Sequence, residues 1–471
     1  MRPIPVAARL IAAVAAASLA GLSGTGQATA VTQHAAPARA PGGLLWTSFY
    51  SATTGGAGTA VAVSPSGSTV FAAGDVPAGQ GTAFATVAYN PKTGSQMWAS
   101  QYRGLGDIAI PAAVAVSPDG GTVFVTGSSE GNRTNRDFAT VAYDATTGQQ
   151  LWVRRYNGPG NAGDDPAAIA ADPNGKSVFV TGYSQGAGTN RDYTTIAYDA
   201  ATGKQLWISR YNNPRRNGFD AASALAISPD GRRLYVTGDS IGRSSNSDYA
   251  TIAYAAASGR QVWVARYNGH ANKIDDARSV AVSPDGSKVF VTGSSWGRTS
   301  LYDYATVAYQ AATGDPLWTR RYGGPSVDAA IAVVASPRRN TVYVTGSTYT
   351  GRTHRDITTI GYKATTGAPL WVRTFDANHK DDIPASLAVS PNGASVIVAG
   401  SSAAGTTPAQ SYRFLVVAYG EISGTRLWST RLLQDPGPDD TAAAVVVSPN
   451  NRTVFATGHK KHVMTTVAIR L

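Results

Sequence analysis

Cysteine is absent from all 471 residues. That excludes disulfides, thiolate metal sites, a cysteine nucleophile and a lipidated N-terminal cysteine. Glutamate occurs only at Glu130 and Glu421, so the acids are almost all Asp. Charged residues make up 15% of the chain and leave a formal net charge of +11, with Arg spread along the sequence rather than gathered into a block. A spread excess permits contact with acidic polymers or surface anions but does not mark a nucleic-acid binder. Beyond residue 30 no stretch shows sustained helical periodicity, and no apolar run reaches membrane-spanning length.

The one longer apolar run is LIAAVAAASLAGL (10–22), preceded by Arg2 and Arg9 and followed by Ala28-Thr29-Ala30. A basic start, a short apolar core and an A-x-A site together predict an export leader over 1–30, cleaved near Ala30. The mature chain is then secreted and extracellular. Residues 31–43, VTQHAAPARAPGG, read as a flexible lead-in. The folded unit is expected over 44–471. That length exceeds the 250–300 residues or so at which single cores stop growing, so the chain must divide or repeat.

It repeats. Trp46, Trp98, Trp152, Trp207, Trp263, Trp318, Trp371 and Trp428 recur at spacings of 52 to 57 residues. A Ser-Pro or Asp-Pro turn recurs in step, beginning at Ser64, Ser117, Asp172, Ser228, Ser283, Ser336, Ser390 and Ser448. A fixed period of this length marks stacked supersecondary units. One unit reads as four strands: SVAVSP (279–284), KVFVTG (288–293) ending at its Gly, DYATVAY (303–309) and PLWTRRY (316–322). These runs are rich in Val, Tyr and Thr and are separated by turn residues, as antiparallel strands require. Eight such units predict an all-β, eight-bladed β-propeller. The chain opens with a spare Trp-led strand, LLWTSFY (44–50), and its last unit, ending TTVAIRL (465–471), lacks one. The N-terminal strand is expected to complete the last blade and remove two exposed edges.

AYDATTGQQLW (142–152) and AYDAATGKQLW (197–207) fit A-x-D-x-x-x-G-x-x-x-W. This resembles the tryptophan-docking motif of eight-bladed quinoprotein (PQQ-type) propellers. Five other copies keep Gly and Trp but carry Asn90, Ala255, Gln310, Lys363 or Gly420 in place of the Asp. The stretch 275–309 also resembles the bacterial β-propeller repeats called SBBP. The quinoprotein resemblance implies PQQ with Ca²⁺, an acidic residue, an Asn and an Asp at the metal, a Trp under the cofactor and often a Cys pair. This chain has no Cys, and no position matches a PQQ ligand; the motif that matches is the structural one. No cofactor is expected, PQQ least of all, and Ca²⁺ is the ion an Asp cluster would take.

The tight turns after the first and third strands share one face, so chemistry is expected among the longer connections on the other. Eight residues before each Pro-turn anchor stand Gly56, Ala109, Asp164, Asp220, Asp275, Asp328, Asp382 and Asp440. These acids are expected to ring the channel mouth, with Asp165, Asp276, Asp381 and Asp439 beside them. They could hold a cation, or each could bond loop amides in a turn role. The loops between second and third strands in blades two to six end at Asp137, Asp192, Asp248, Asp303 and Asp356, and carry one freely varying position: Glu130, Gln185, Ile241, Trp296, Tyr349. Trp296, with Arg298 and Tyr302, and Tyr349, with Arg352 and His354 on the next blade, form the candidate ligand site, able to stack on a sugar, a base or a peptide aromatic. The bland alternative is local packing over the blade edge. His459 and His462 are too few to define a metal site; His270 and His379 lie in channel-face loops and read as solvated. The paired Arg residues 154–155 and 320–321 read as outer-strand charges that deter edge pairing.

The leading expectation is a secreted, monomeric, non-catalytic binding module for a glycan, peptide or protein on the long-loop face. The alternative is an extracellular enzyme (a lyase, a hydrolase or a PQQ-dependent oxidoreductase) using the Asp-lined mouth with Ca²⁺. Carboxylates converging on one point would favour the enzyme; carboxylates turned into backbone amides would favour the scaffold.

Overall fold

A computed structural model describes residues 30–34, 40–50, 55–131, 135–213, 218–242, 246–298, 300–324, 326–349, 354–377, 379–404, 411–437 and 440–471. The expected leader, apart from Ala30, and Arg352 and Asp439 of the candidate sites lie outside them. Among the described residues no helix is long and apolar enough to cross a membrane.

Eight antiparallel sheets form the ring. Blade one runs Ala57–Val63, Val70–Ala78, Gly81–Tyr89 and Gln96–Tyr102, and blades two to seven repeat the order. Blade eight takes Thr441–Val447, Thr453–Lys460 and Val463–Arg470 from the C-terminus and Leu44–Tyr50 from the N-terminus, with Trp46 opposite Ala468. The expected closure is therefore present. A fifth strand, Ala30–His34, then pairs outside Leu44–Tyr50; all of it but Ala30 falls in the stretch read from sequence as a flexible lead-in. It is tied to blade one as well: the Thr32 hydroxyl donates to Gly94 O at 2.8 Å, and the Ala30 backbone N donates to Gln96 Oε1 at 2.6 Å.

The second strands correct one expectation. They do not end at the Gly of the VTG motif; Lys288–Trp296 continues three residues past Gly293. The glycine is there for space. Opposite it, each first strand carries a bulge, as between Ala277 and Ser279. A Cβ on Gly293 would lie 2.0 Å from Asp276 O. The bulge bends the inner strand where the blades crowd the axis.

Each core lies between blades rather than within one. Phe179, Tyr193 and Trp207 of blade three pack with Leu234, Val236, Ile252 and Tyr254 of blade four. Trp207 sits 5.8 Å from Phe179 and 6.4 Å from Tyr254 by ring centroids, and its Nε1 donates to Ala256 O at 2.8 Å. The next blade's glycine turn makes room for the indole. Gly203 has φ +69°, and a Cβ there would meet Trp152 Cδ2 at 2.6 Å. Burying one indole removes about 150–250 Å² from water, a gross gain of about 4–6 kcal/mol per joint. Repeated around the ring, that packing does the work cross-links do elsewhere.

Candidate functional site

Each acid of the expected ring is turned into backbone amides. Asp164 Oδ2 accepts from Gly158 N at 2.5 Å and its Oδ1 from Gln185 N at 3.0 Å. Asp328 repeats this with Gly324 N at 2.6 Å and Tyr349 N at 2.9 Å. Asp220, Asp275 and Asp382 accept from Asn213, Gly269 and Ala377 amides, and Asp440 from Lys461 N. All six are at most 1% exposed. They tie the strand that enters each blade to its own loops, and burial raises the carboxyls of Asp164, Asp220, Asp275, Asp328 and Asp382 above the usual range.

The second Arg of each pair, and the Arg at the same place in the blades without a pair, is half-buried and turned into the joint. Arg210 donates to Tyr156 OH of the preceding blade at 2.8 Å, to Ser184 Oγ at 2.9 Å, and to Asp192 at 2.8 Å. Arg155, Arg266 and Arg321 make the same set with Tyr102, Tyr211 and Tyr267, and with Asp137, Asp248 and Asp303. The recurring loop-end Asp is thus an arginine anchor within a four-part joint. Its sequence signal was the constant spacing of Asp, Arg and Tyr. The first Arg of each pair caps a turn instead: Arg154 donates to Gly203 O at 2.8 Å and Arg320 to Gly367 O at 2.9 Å. Both members of each pair are spent on joints, which leaves edge protection a secondary role.

Trp296 is half-buried on the long-loop face. Its ring meets Tyr302 edge-on at 4.8 Å, and Lys273 Nζ stands 4.6 Å from its centroid. Tyr302 is 8% exposed and lies beneath the indole rather than beside it. Arg298 is exposed; Tyr349 and His354 are half-buried. Of the described members, Trp296, Arg298, Tyr349 and His354 keep accessible surface, and Lys273 joins Trp296 there. His459 and His462 stack at 6.4 Å.

On the channel side, Asp165 takes the hydroxyls of Ser128 and Tyr183 and an ion pair from Arg136 at 3.3 Å. Arg278 holds Asp276, and burial, with the Asp276 charge adding, raises the carboxyl of Asp239 well above the usual range. One other acidic group stands apart, at the joint of blades six and seven: oxygens of Asp356, Asp376 and Asp382 lie within 4.8 Å of one another.

These residues do not fit the quinone that the sequence motif implies. Seven indoles, those of Trp46, Trp98, Trp152, Trp207, Trp263, Trp318 and Trp371, donate to carbonyls of the next blade. Trp428 packs on Gly42, and Trp296 is already faced by Tyr302 and Lys273. None is left to floor a flat cofactor, and the ring carboxylates are committed to amides.

A family model described as outer membrane protein assembly factor BamB matches residues 31–192, 83–245, 187–403 and 248–470. Among solved structures, hydrazine synthase of Kuenenia stuttgartiensis is similar at a TM-score of 0.51 and 15% identity, over 88% of this chain and 95% of that one. Sqt1 of Chaetomium thermophilum, solved bound to the N-terminus of the ribosomal protein L10, is similar at 0.58 and 12% identity, over 89% and 97%. The Dos1 propeller gives 0.57 and 10% identity, over 88% and 93%. At these identities the likeness is one of fold. No curated protein matches.

Proposed function

The chain belongs to the PQQ-like β-propeller repeat family of that BamB model, and from this premise we propose that it is an exported, non-catalytic binding module. It takes a glycan, peptide or protein on its long-loop face around blades five and six. The observation that carries the reading is the fate of the six ring acids: each is spent on backbone amides of its own blade and entry loop. Carboxylates tied blade by blade to backbone amides suit a scaffold better than an acid–base pair.

The rim, by contrast, offers contact chemistry. An indole with an ammonium over one part of its ring and an exposed guanidinium, Arg298, two residues on suits a partner that brings a stacking surface and an acidic or hydroxyl-rich group. Export rests on the basic start, the apolar run 10–22 and the A-x-A site. Sqt1 was solved holding the N-terminus of another protein, which makes a polypeptide a reasonable first partner to test beside a glycan.

The test is a glycan array and a peptide library probed with secreted protein and with Trp296→Ala. Expected is a binder whose affinity drops at least tenfold in the variant while thermal unfolding is nearly unchanged. Binding that survives the change, or turnover of any array compound, would overturn the reading.

A further inference from the structure

Three of the third strands start with arginine: Arg136 in blade two, Arg191 in blade three and Arg355 in blade six. Each is the register partner of the freely varying loop residue, Glu130, Gln185 or Tyr349. The three arginines therefore occupy one equivalent place, on the long-loop face beside the entry loop of the next blade.

Two of them are met there by an acid of that next blade. Arg136 pairs with Asp165, the residue after the ring acid Asp164, at 3.3 Å. Arg355 pairs with Asp381, the residue before the ring acid Asp382, at 3.1 Å, and its backbone N donates to the same carboxylate at 2.9 Å. Around the ring acid Asp220 those two places hold Ala221 and Phe219. Arg191 thus has a methyl group and a phenyl ring where its counterparts have carboxylates.

Its guanidinium carbon stands 4.8 Å from the ring centroid of Phe219 and 4.1 Å from that of Tyr183. The two rings attract the charge, but they do not accept its five N–H donors as a carboxylate would. The Tyr183 hydroxyl is turned to Asp165, which Ser128 and Arg136 also hold. The other nearby acids are spent as well: Asp192 on Arg210, and Asp220 on backbone amides with Arg266 facing it. Among the described residues the Arg191 guanidinium has no ion pair and no hydrogen-bond acceptor. Residues 214–217 of the entry loop, which lie outside them, read Pro-Arg-Arg-Asn and bring no acid. Arg191 is half-buried and Phe219 is 38% exposed, so the pair meets solvent.

We infer that Arg191, held between Tyr183 and Phe219, is a docking point for an aspartate or glutamate side chain of a polypeptide partner. The incoming carboxylate reproduces the Arg355–Asp381 pair, with the partner supplying the acid that blade four lacks. A guanidinium already held by two rings loses little freedom on binding and offers its donors as a fork. The exposed phenyl ring gives the partner apolar contact beside the charge. An acidic polypeptide is the occupant because the chain's own equivalents are aspartyl side chains. The point lies at the joint of blades three and four, and stands whether or not the rim at Trp296 binds.

The test is fluorescence anisotropy of labelled hexa-aspartate, with polygalacturonate as a competing acidic glycan. Salt is kept near 100 mM, where charges farther off than about 10 Å are screened. Wild type binds the peptide. Arg191→Gln weakens it at least about tenfold, the worth of one charge-assisted pair. Phe219→Asp weakens it as much without lowering Tm, because the new acid takes Arg191 as Asp381 takes Arg355. Arg232→Gln, on the tight-turn face with an 83% exposed side chain, leaves binding unchanged, and so does Trp296→Ala. The inference fails if wild type does not bind the peptide, or if either of the first two variants binds within about twofold of it. It fails too if Arg232→Gln weakens binding equally, which would be diffuse attraction to a chain of net charge +11. Loss in Trp296→Ala would put the peptide on the rim instead, and preference for polygalacturonate through Arg191 would make the occupant a glycan; either overturns the inference.

Discussion

Thr430 donates its hydroxyl to the carbonyl of Gly42 at 2.6 Å, across 388 residues of sequence. Gly42 is the N-terminal stand-in for the glycine turn that other blades supply from within. It has φ +79°, and a Cβ on it would meet Trp428 Cβ at 3.0 Å. The last joint is thus built like the rest, from the two ends of the chain.

Removing residues 31–52 should therefore open the ring at two joints, those of Trp428 and Trp46. Trp46→Ala alone should cost about 3–5 kcal/mol, as a fully buried indole does. Thermal unfolding of both variants checks this, and an unchanged Tm on deletion would refute closure by the N-terminus.

Gly203→Ala should destabilise by about 2–3 kcal/mol. The left-handed φ costs about 1 kcal/mol with a side chain, and the new Cβ would press on Trp152 at 2.6 Å. Urea unfolding measures the loss. Gly163, where a Cβ meets nothing within 4 Å, is the control and should tolerate Ala with little change.

Breaking one arginine joint should be costly on either side. Arg210→Ala leaves Asp192 buried without its ion pair, and Asp192→Ala leaves Arg210 without its anchor; each should lose about 3 kcal/mol. The double variant should lose much less than the sum, because the second change removes the stranded charge. A double-mutant cycle by chemical denaturation reads the coupling.

Asp75 gives a pH dependence with a defined sign. Burial pushes its carboxyl up to about 6 in the folded chain, against 3.8 unperturbed. Between these values the folded state keeps a proton the unfolded state has lost, so stability falls as pH rises from about 4 to 6 and levels above. Relative to wild type, Asp75→Asn should gain about 1–2 kcal/mol between pH 5 and pH 7. Denaturation midpoints at the two pH values would show no such gap if Asp75 were ordinary.

The blades, their number and their closure were legible because repetition exposes them: Trp46 to Trp428 at a steady spacing, a spare strand at one end and a missing one at the other. Short-range spacing could not show what crosses a joint. Arg210 and Tyr156 are 54 residues apart in the chain and meet only because neighbouring blades do. Gly293 looked like a strand end because a strand glycine usually marks a break or a bulge; the bulge is on its partner, at Ala277 and Ser279. Residues 31–34 are too short and too polar a run to read as a strand alone, and it is the available edge of Leu44–Tyr50 that orders them. At the rim, Trp296 and Tyr302 were placed in one candidate site from their nearness in sequence; that they stand opposite one another on adjacent strands is visible only in the register.

The strand at Ala30–His34 also changes how the ring would bear traction. With Leu44–Tyr50 as the last strand, the two chain ends would leave the sheet side by side, Leu44 opposite Ile469. Tugging on them would part the ladder pair by pair, as a zipper opens. The extra strand moves the leading grip to the far end of the sheet, where Val31 lies opposite Phe49 and Tyr50 opposite Met464. Force then runs lengthwise, and all rungs resist together until they slip. A ring fastened without a covalent clasp gains a mechanical lock from one short strand.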